Sequence, residues 1–147
     1  WTVLHTPGHH PEHLCLLSDS GLVAGDMVAG IGTILIPPHQ GDMMTYIEQL
    51  ERLLGLDPHL LFPSHGPVIP LPHRTLEHYI RHRSIRHDKV LAAVEQGHSK
   101  LEEIAKVAYE DTPDAHPSLA IDQTLSHLLS HEKDGNVRST DGGWVRA

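Results

Sequence analysis

Three clusters of side chains in this sequence have the types and the setting of metal ligands. They are His5-Thr6-Pro7-Gly8-His9-His10-Pro11-Glu12-His13, Val23-Ala24-Gly25-Asp26 and Phe62-Pro63-Ser64-His65-Gly66-Pro67. In each, a short apolar run of strand-like composition delivers a His or an Asp into a Gly- or Pro-rich turn. A strand fixes the backbone and the loop at its end aims the ligand, as a metal site on an α/β scaffold requires. Imidazole and carboxylate suit zinc, manganese or iron rather than a thiolate-preferring metal. Fifteen His in 147 residues put some of them on loops by chance. Three loop-end donors, each behind an apolar run, form the pattern that points to chemistry.

The elements that must position these donors follow in order. Trp1 to Leu4 and His13 to Leu17 read as strands. Asp19-Ser20-Gly21 makes a tight turn into a short return strand, Leu22-Val23-Ala24, which ends at Gly25-Asp26. Ala29 to Pro38 is a Gly- and Ile-rich connection. A helix then starts at a cap, Asp42, with Met43, Ile47, Leu50, Leu53 and Leu54 on one face and Glu48, Glu51 and Arg52 on another. Gly55 closes it, and Leu60 to Phe62 is a further strand that hands over His65. Alternating strand and helix predicts an α/β layer.

After Pro72 the pattern changes. A long helix is predicted from Thr75 to about Gln96, a short one over Leu101–Tyr109 and a third over Pro117–His131. Asn136–Ser139 and Trp144–Arg146, joined through Asp141-Gly142-Gly143, read as a hairpin. Three helices and a hairpin is the order of a winged-helix module. Residues 1–74 and 75–147 are therefore expected to be two units.

Composition narrows the function classes. The formal charge is −8, which does not draw the chain as a whole to nucleic acid or an anionic membrane. No apolar run is long enough to span a membrane. The single Cys15 excludes an intrachain disulfide, and its apolar neighbours predict a buried small hydrophobe. A cytoplasmic location is expected. The chain opens at Trp1, inside a predicted strand, which reads as a piece of a longer protein whose leader would lie out of view.

In this order and spacing, His-Thr-Pro-Gly-His, Ala-Gly-Asp and Ser-His-Gly-Pro resemble the later metal motifs of the metallo-β-lactamase superfamily. The tail Tyr79-Ile80-x-His82-Arg83-x-Ile85-Arg86, running into a small helical module, resembles the β-lactamase-like-protein-2 branch with its C-terminal winged helix. The resemblance implies an αββα metallo-hydrolase binding two divalent metal ions, usually zinc. By the family pattern His9 binds the first metal, Asp26 bridges both and His65 binds the second. Asp26 is thus the residue on which catalysis turns. A bridging water made acidic by the two ions would supply hydroxide for attack on an ester, thioester or phosphodiester. His5, His10 and His13 match no ligand position.

The superfamily's first motif, His-x-His-x-Asp-His, has no match here and would lie upstream of Trp1. Without it each metal keeps two protein ligands, Asp26 being shared, where a catalytic zinc normally holds three. This stretch alone is therefore expected to be inactive, with the N-terminal half of the sandwich missing. An open strand edge and an uncovered face should favour self-association.

The substrate divides two expectations. Small-molecule esters and thioesters, as in glyoxalase II, suit the superfamily at large, while single-stranded RNA suits the branch, which includes an RNA-cleaving member. His39 and Tyr46 are expected to line a substrate cleft. A reading from another class, a winged-helix nucleic-acid-binding protein or non-catalytic scaffold, finds little support. The third helix, as far as His131, has no Lys or Arg and carries Asp122. From Leu76 onward nine Lys and Arg stand against twelve Asp and Glu, and a DNA reader needs a basic face. His78/His82 and His127/His131 are spaced to share helix faces, and solvated or packed imidazoles are expected there. Arg81, Arg83 and Arg86, with His82 and His87, either face an anionic substrate or pair with nearby acids where the two units meet, and pairing is the expectation.

Overall fold

The computed structural model describes all residues, 1–147. Strands β1 (Thr2–His5), β2 (Leu14–Ser18) and β3 (Gly21–Gly25) form an antiparallel meander. Helix α1 (Met43–Gly55) then crosses to β4 (Leu61–Pro63), which lies parallel to β3. Register pairs Leu4 with Cys15, and Leu17 with Leu22, which in turn faces Leu61. Because side chains alternate across a strand, these residues share one face. Helix α1 covers that face. Its side chains Met43, Tyr46, Ile47, Leu50 and Leu53 recur at helical spacing and join Leu4, Cys15, Leu22 and Leu61 in one buried core. Cys15 is fully buried, as its apolar neighbours predict.

The cap of α1 is the predicted one: Asp42 accepts a hydrogen bond from the Thr45 backbone N–H at 2.8 Å. Gly25 ends β3 at a φ of 54°, where the strand is bulged against β4. A Cβ there would sit 2.6 Å from the ring of His13, so only glycine lets the chain turn at this point.

Helix α2 (Pro72–Glu95) is the longest element. It starts a little before the predicted Thr75, with Pro72 in the first turn, where a missing N–H costs nothing. Leu76 and Tyr79 pack into the first core, and Val90, Ala93 and Val94 into a second. The second core is completed by α3 (Leu101–Ala108), α4 (Pro117–Lys133) and the hairpin β5 (Val137–Thr140) and β6 (Gly143–Arg146), through Ile104, Ala108, Leu128 and Val137. The predicted order of three helices and a hairpin is present. No helix is long and apolar enough to cross a membrane.

Candidate metal centre

The three predicted donors come from separate turns that the backbone ties together. The Ser64 N–H donates to Gly25 O at 3.0 Å, which joins the end of β4 to the end of β3. The Gly30 N–H donates to His65 O at 2.8 Å, and the Asp42 N–H to Gly8 O at 2.8 Å. Gly8 sits against helix α1: with φ of 132°, an added Cβ would fall 2.4 Å from Tyr46 Cα. The His9 turn is thus seated on the helix and cannot slide.

Within this frame His9 Nε2 lies 3.7 Å from Asp26 Oδ2, and His65 Nε2 lies 3.4 Å from Asp26 Oδ1. The carboxylate stands between the two imidazoles, addressing each with a different oxygen. On its other side the His9 ring donates from Nδ1 to Leu35 O at 2.8 Å, which leaves the Nε2 lone pair toward Asp26 in the neutral ring. Asp26 Oδ1 is buried and has no hydrogen-bond partner. A buried, unsatisfied carboxylate oxygen beside an imidazole nitrogen is costly unless a cation completes it.

Asp26 is held from behind. Its backbone N–H donates to His13 Nε2 at 3.0 Å, so a neutral His13 carries its proton on Nδ1 and gives it to Thr6 Oγ1 at 2.8 Å. The Thr6 hydroxyl donates in turn to Cys15 Sγ at 3.3 Å. Burial, followed by the neighbouring His9, holds the His13 imidazole below its ordinary pKa and keeps it the neutral acceptor this chain needs. The sequence left His13 without a role. The signal that could have found it was its place at the start of β2, opposite the bend at Gly25. The other two unassigned imidazoles are local struts: His5 Nε2 donates to Pro11 O at 2.7 Å, and His10 Nδ1 accepts from the Glu12 N–H at 3.3 Å.

The donors fit a divalent metal in kind, but no group of three or more His, Cys, Asp and Glu is arranged to hold a metal ion by itself.

Tyr46 corrects the expectation of a cleft residue. Its side chain is fully buried, its hydroxyl donates to Met27 O at 2.7 Å, and burial pushes its pKa well above the ordinary phenol. It is a core residue because position 46 falls on the inward face of α1. His39 is exposed in the loop before that helix.

The arginine expectation holds in part. Arg86 pairs with Asp111 at 2.9 Å and lies over the Tyr109 ring, whereas Arg83 meets only neutral oxygens, those of Ile34, Thr33 and Gln123. Of the paired imidazoles, His78 and His82 are exposed and stacked, while His127 and His131 are buried.

Comparison with known proteins bears on the family and the fold. Residues 1–65 match the model of the metallo-beta-lactamase superfamily. A beta-lactamase-like protein 2 homolog from Drosophila melanogaster is 35% identical over 140 residues, covering 92% of this chain and 47% of that protein. A lactamase-like protein from Neosartorya fischeri is 34% identical over 143 residues, covering 84% of this chain and 41% of that protein. The chain thus spans about half the length of the curated relatives it matches. Among solved structures, a beta-lactamase domain protein from Burkholderia ambifaria has a TM-score of 0.84 at 24% identity, covering 100% of this chain and 48% of that one. A metallo-beta-lactamase family protein from Thermus thermophilus has a TM-score of 0.77 at 21% identity, covering 99% and 48%. These two likenesses bear on the fold. Residues 1–65, which carry the His-Thr-Pro-Gly-His, Gly-Asp and Ser-His turns, belong to the metallo-β-lactamase superfamily.

Proposed function

We propose that this chain carries the later half of a dinuclear metal centre in a hydrolase that cleaves an ester, thioester or phosphodiester. The observation that supports the reading is the position of Asp26, one oxygen toward His9 and the other, buried and without a partner, toward His65. His9 would hold one ion, His65 the other, and Asp26 both. Divalent ions bound there would acidify water and polarise the carbonyl or phosphoryl oxygen under attack.

The chain's own residues do the rest. Leu35 O orients the His9 ring, and His13 fixes the backbone from which Asp26 projects. With ions bound, the Asp26 carboxylate would offset their mutual repulsion. The α2–α4 helices with the β5–β6 hairpin form a winged-helix-like cap. Its α4 shows no basic face, which favours a structural part over DNA reading.

The test is hydrolysis of S-lactoylglutathione and of single-stranded RNA, with zinc present. The chain is assayed alone and joined to the segment that supplies His-x-His-x-Asp-His. The joined protein should turn over one of the two substrates, and the chain alone neither. Asp26→Ala should abolish turnover at least as fully as His9→Ala or His65→Ala. Near-normal turnover by Asp26→Ala would overturn the assignment.

A further inference from the structure

A second feature lies one loop away from the metal turns. Helix α2, the Ala29–Leu35 loop, the Tyr109–His116 stretch and the start of α4 line a cavity of about 800 Å³ that opens to solvent, within the range of small-molecule sites. His9, Asp26 and His65 do not line it; it meets their surroundings only through the loop residue Leu35 and through Ile69. Its wall contains Arg74, Arg81, Arg83 and Arg86 and not one Asp or Glu, in a chain whose formal charge is −8. The concentration of positive charge is therefore local to this wall.

Three of these guanidinium groups have no counter-charge. Arg74 and Arg81 are exposed and take part in no ion pair. Arg83 is only 3% exposed, its hydrogen bonds end on neutral oxygens, and its Nε has no partner. A buried cation without an anion is costly, and proteins normally pair it. Partial desolvation against the cavity wall, then the charges of Arg83 and Arg86, lower the pKa of His82, and the arginines supply the fixed charge. Apolar side chains share the wall with these polar groups: Leu71 and Leu119 border the cavity at 58% and 41% exposure and offer an apolar body somewhere to lie.

We propose that this cavity binds a small amphiphile, one carboxylate or phosphate head on an apolar body, with the head against the arginines. The volume suits a small molecule, and the arginine wall disfavours a cation. Guanidinium forks match both oxyanions.

The test needs neither metal nor turnover, so it stands or falls apart from the hydrolase reading. The metal-stripped protein is titrated with octanoate, octyl phosphate and octyltrimethylammonium by calorimetry. At least one of the two anions should bind saturably at one site, the tighter one naming the head group, and the cation should not bind. The double variant Arg74→Gln/Arg81→Gln removes two exposed, unpaired charges. It should weaken anion binding at least about tenfold while leaving the thermal midpoint unchanged. Unchanged affinity in that variant overturns the proposal, as does equal binding of the cation or no saturable binding at all. So does tight binding of a single-stranded oligonucleotide that neither octyl anion displaces.

Discussion

The imidazole of His13 accepts the backbone N–H of Asp26 at 3.0 Å, so a residue outside the three loop-end donors fixes the backbone from which the Asp26 carboxylate projects. Replacing it with Ala leaves that N–H without a partner in a half-buried position. His13→Ala should cost about 1–3 kcal/mol in urea unfolding and weaken zinc binding about 10–100-fold. His13→Gln, whose amide oxygen can accept the same bond, should recover part of both. Equal zinc affinity in wild type and His13→Ala would remove His13 from the site.

Gln123 clamps the loop that orients His9. Its side-chain amide accepts from the Ile36 N–H and donates to Ile36 O, each at 3.0 Å, one residue beyond the carbonyl that holds the His9 ring. Gln123→Leu keeps the volume and removes both bonds. Stability should fall by about 1–3 kcal/mol, and zinc affinity should fall with it although Gln123 is no ligand. A loss of stability with zinc affinity intact would mean that the clamp serves only packing.

Acid should loosen the interface between α2 and α4. His87 and His127 face each other through Nδ1 at 3.1 Å, so one ring donates and the other accepts, and a second proton would set two N–H groups against each other. Burial, then the neighbouring His131, lowers His87 to about 4, and burial lowers His127 well below its ordinary range. Both folded-state values lie below the unfolded value. The unfolded chain therefore binds more protons as pH falls from about 6.5 toward 4, and stability declines over that window. The nearby Asp88 and Asp134 soften the effect for His87. After allowance for solvent screening the decline should be on the order of 1–2 kcal/mol. His127→Leu should flatten the dependence of the urea midpoint on pH; an unaltered slope would exclude this pair.

The face of the sheet turned away from α1 is apolar and open. Register aligns Val3, Leu16, Val23 and Phe62 across all four strands, with Val3 61% exposed. A row of this kind favours association. Sedimentation of the purified chain should show concentration-dependent oligomers, and Val3→Lys should shift them toward monomer. A strictly monomeric wild type across the micromolar range would exclude that role.

Much of this was legible in the sequence because local signals agreed. Asp42 as cap, the inward stripe of α1 and the three loop-end clusters follow from spacing and turn chemistry, whereas the choice of His9 among four neighbouring imidazoles came from the family pattern. Tyr46 was misjudged because its helical phase competes with its nearness to a functional loop, and the phase wins: the hydroxyl finds Met27 O inside the core. His13 and Gln123 were hidden for another reason. Their partners, Asp26 and Ile36, lie 13 and 87 residues away in the chain, and no periodicity reports a hydrogen bond between distant loops. The unpaired state of Arg83 was equally out of reach, since sequence lists neighbouring acids but not which way a guanidinium turns.

Helix α2 has a mechanical consequence. At 24 residues it is about 36 Å of unbroken rod, rooted among the side chains of both cores. No joint interrupts it, so the two ends of the molecule cannot pivot about each other without fracturing a helix. The hydrogen bonds that Arg83 and Gln123 make to the loop at Ile34 and Ile36 therefore moor that loop to a helical frame that does not flex.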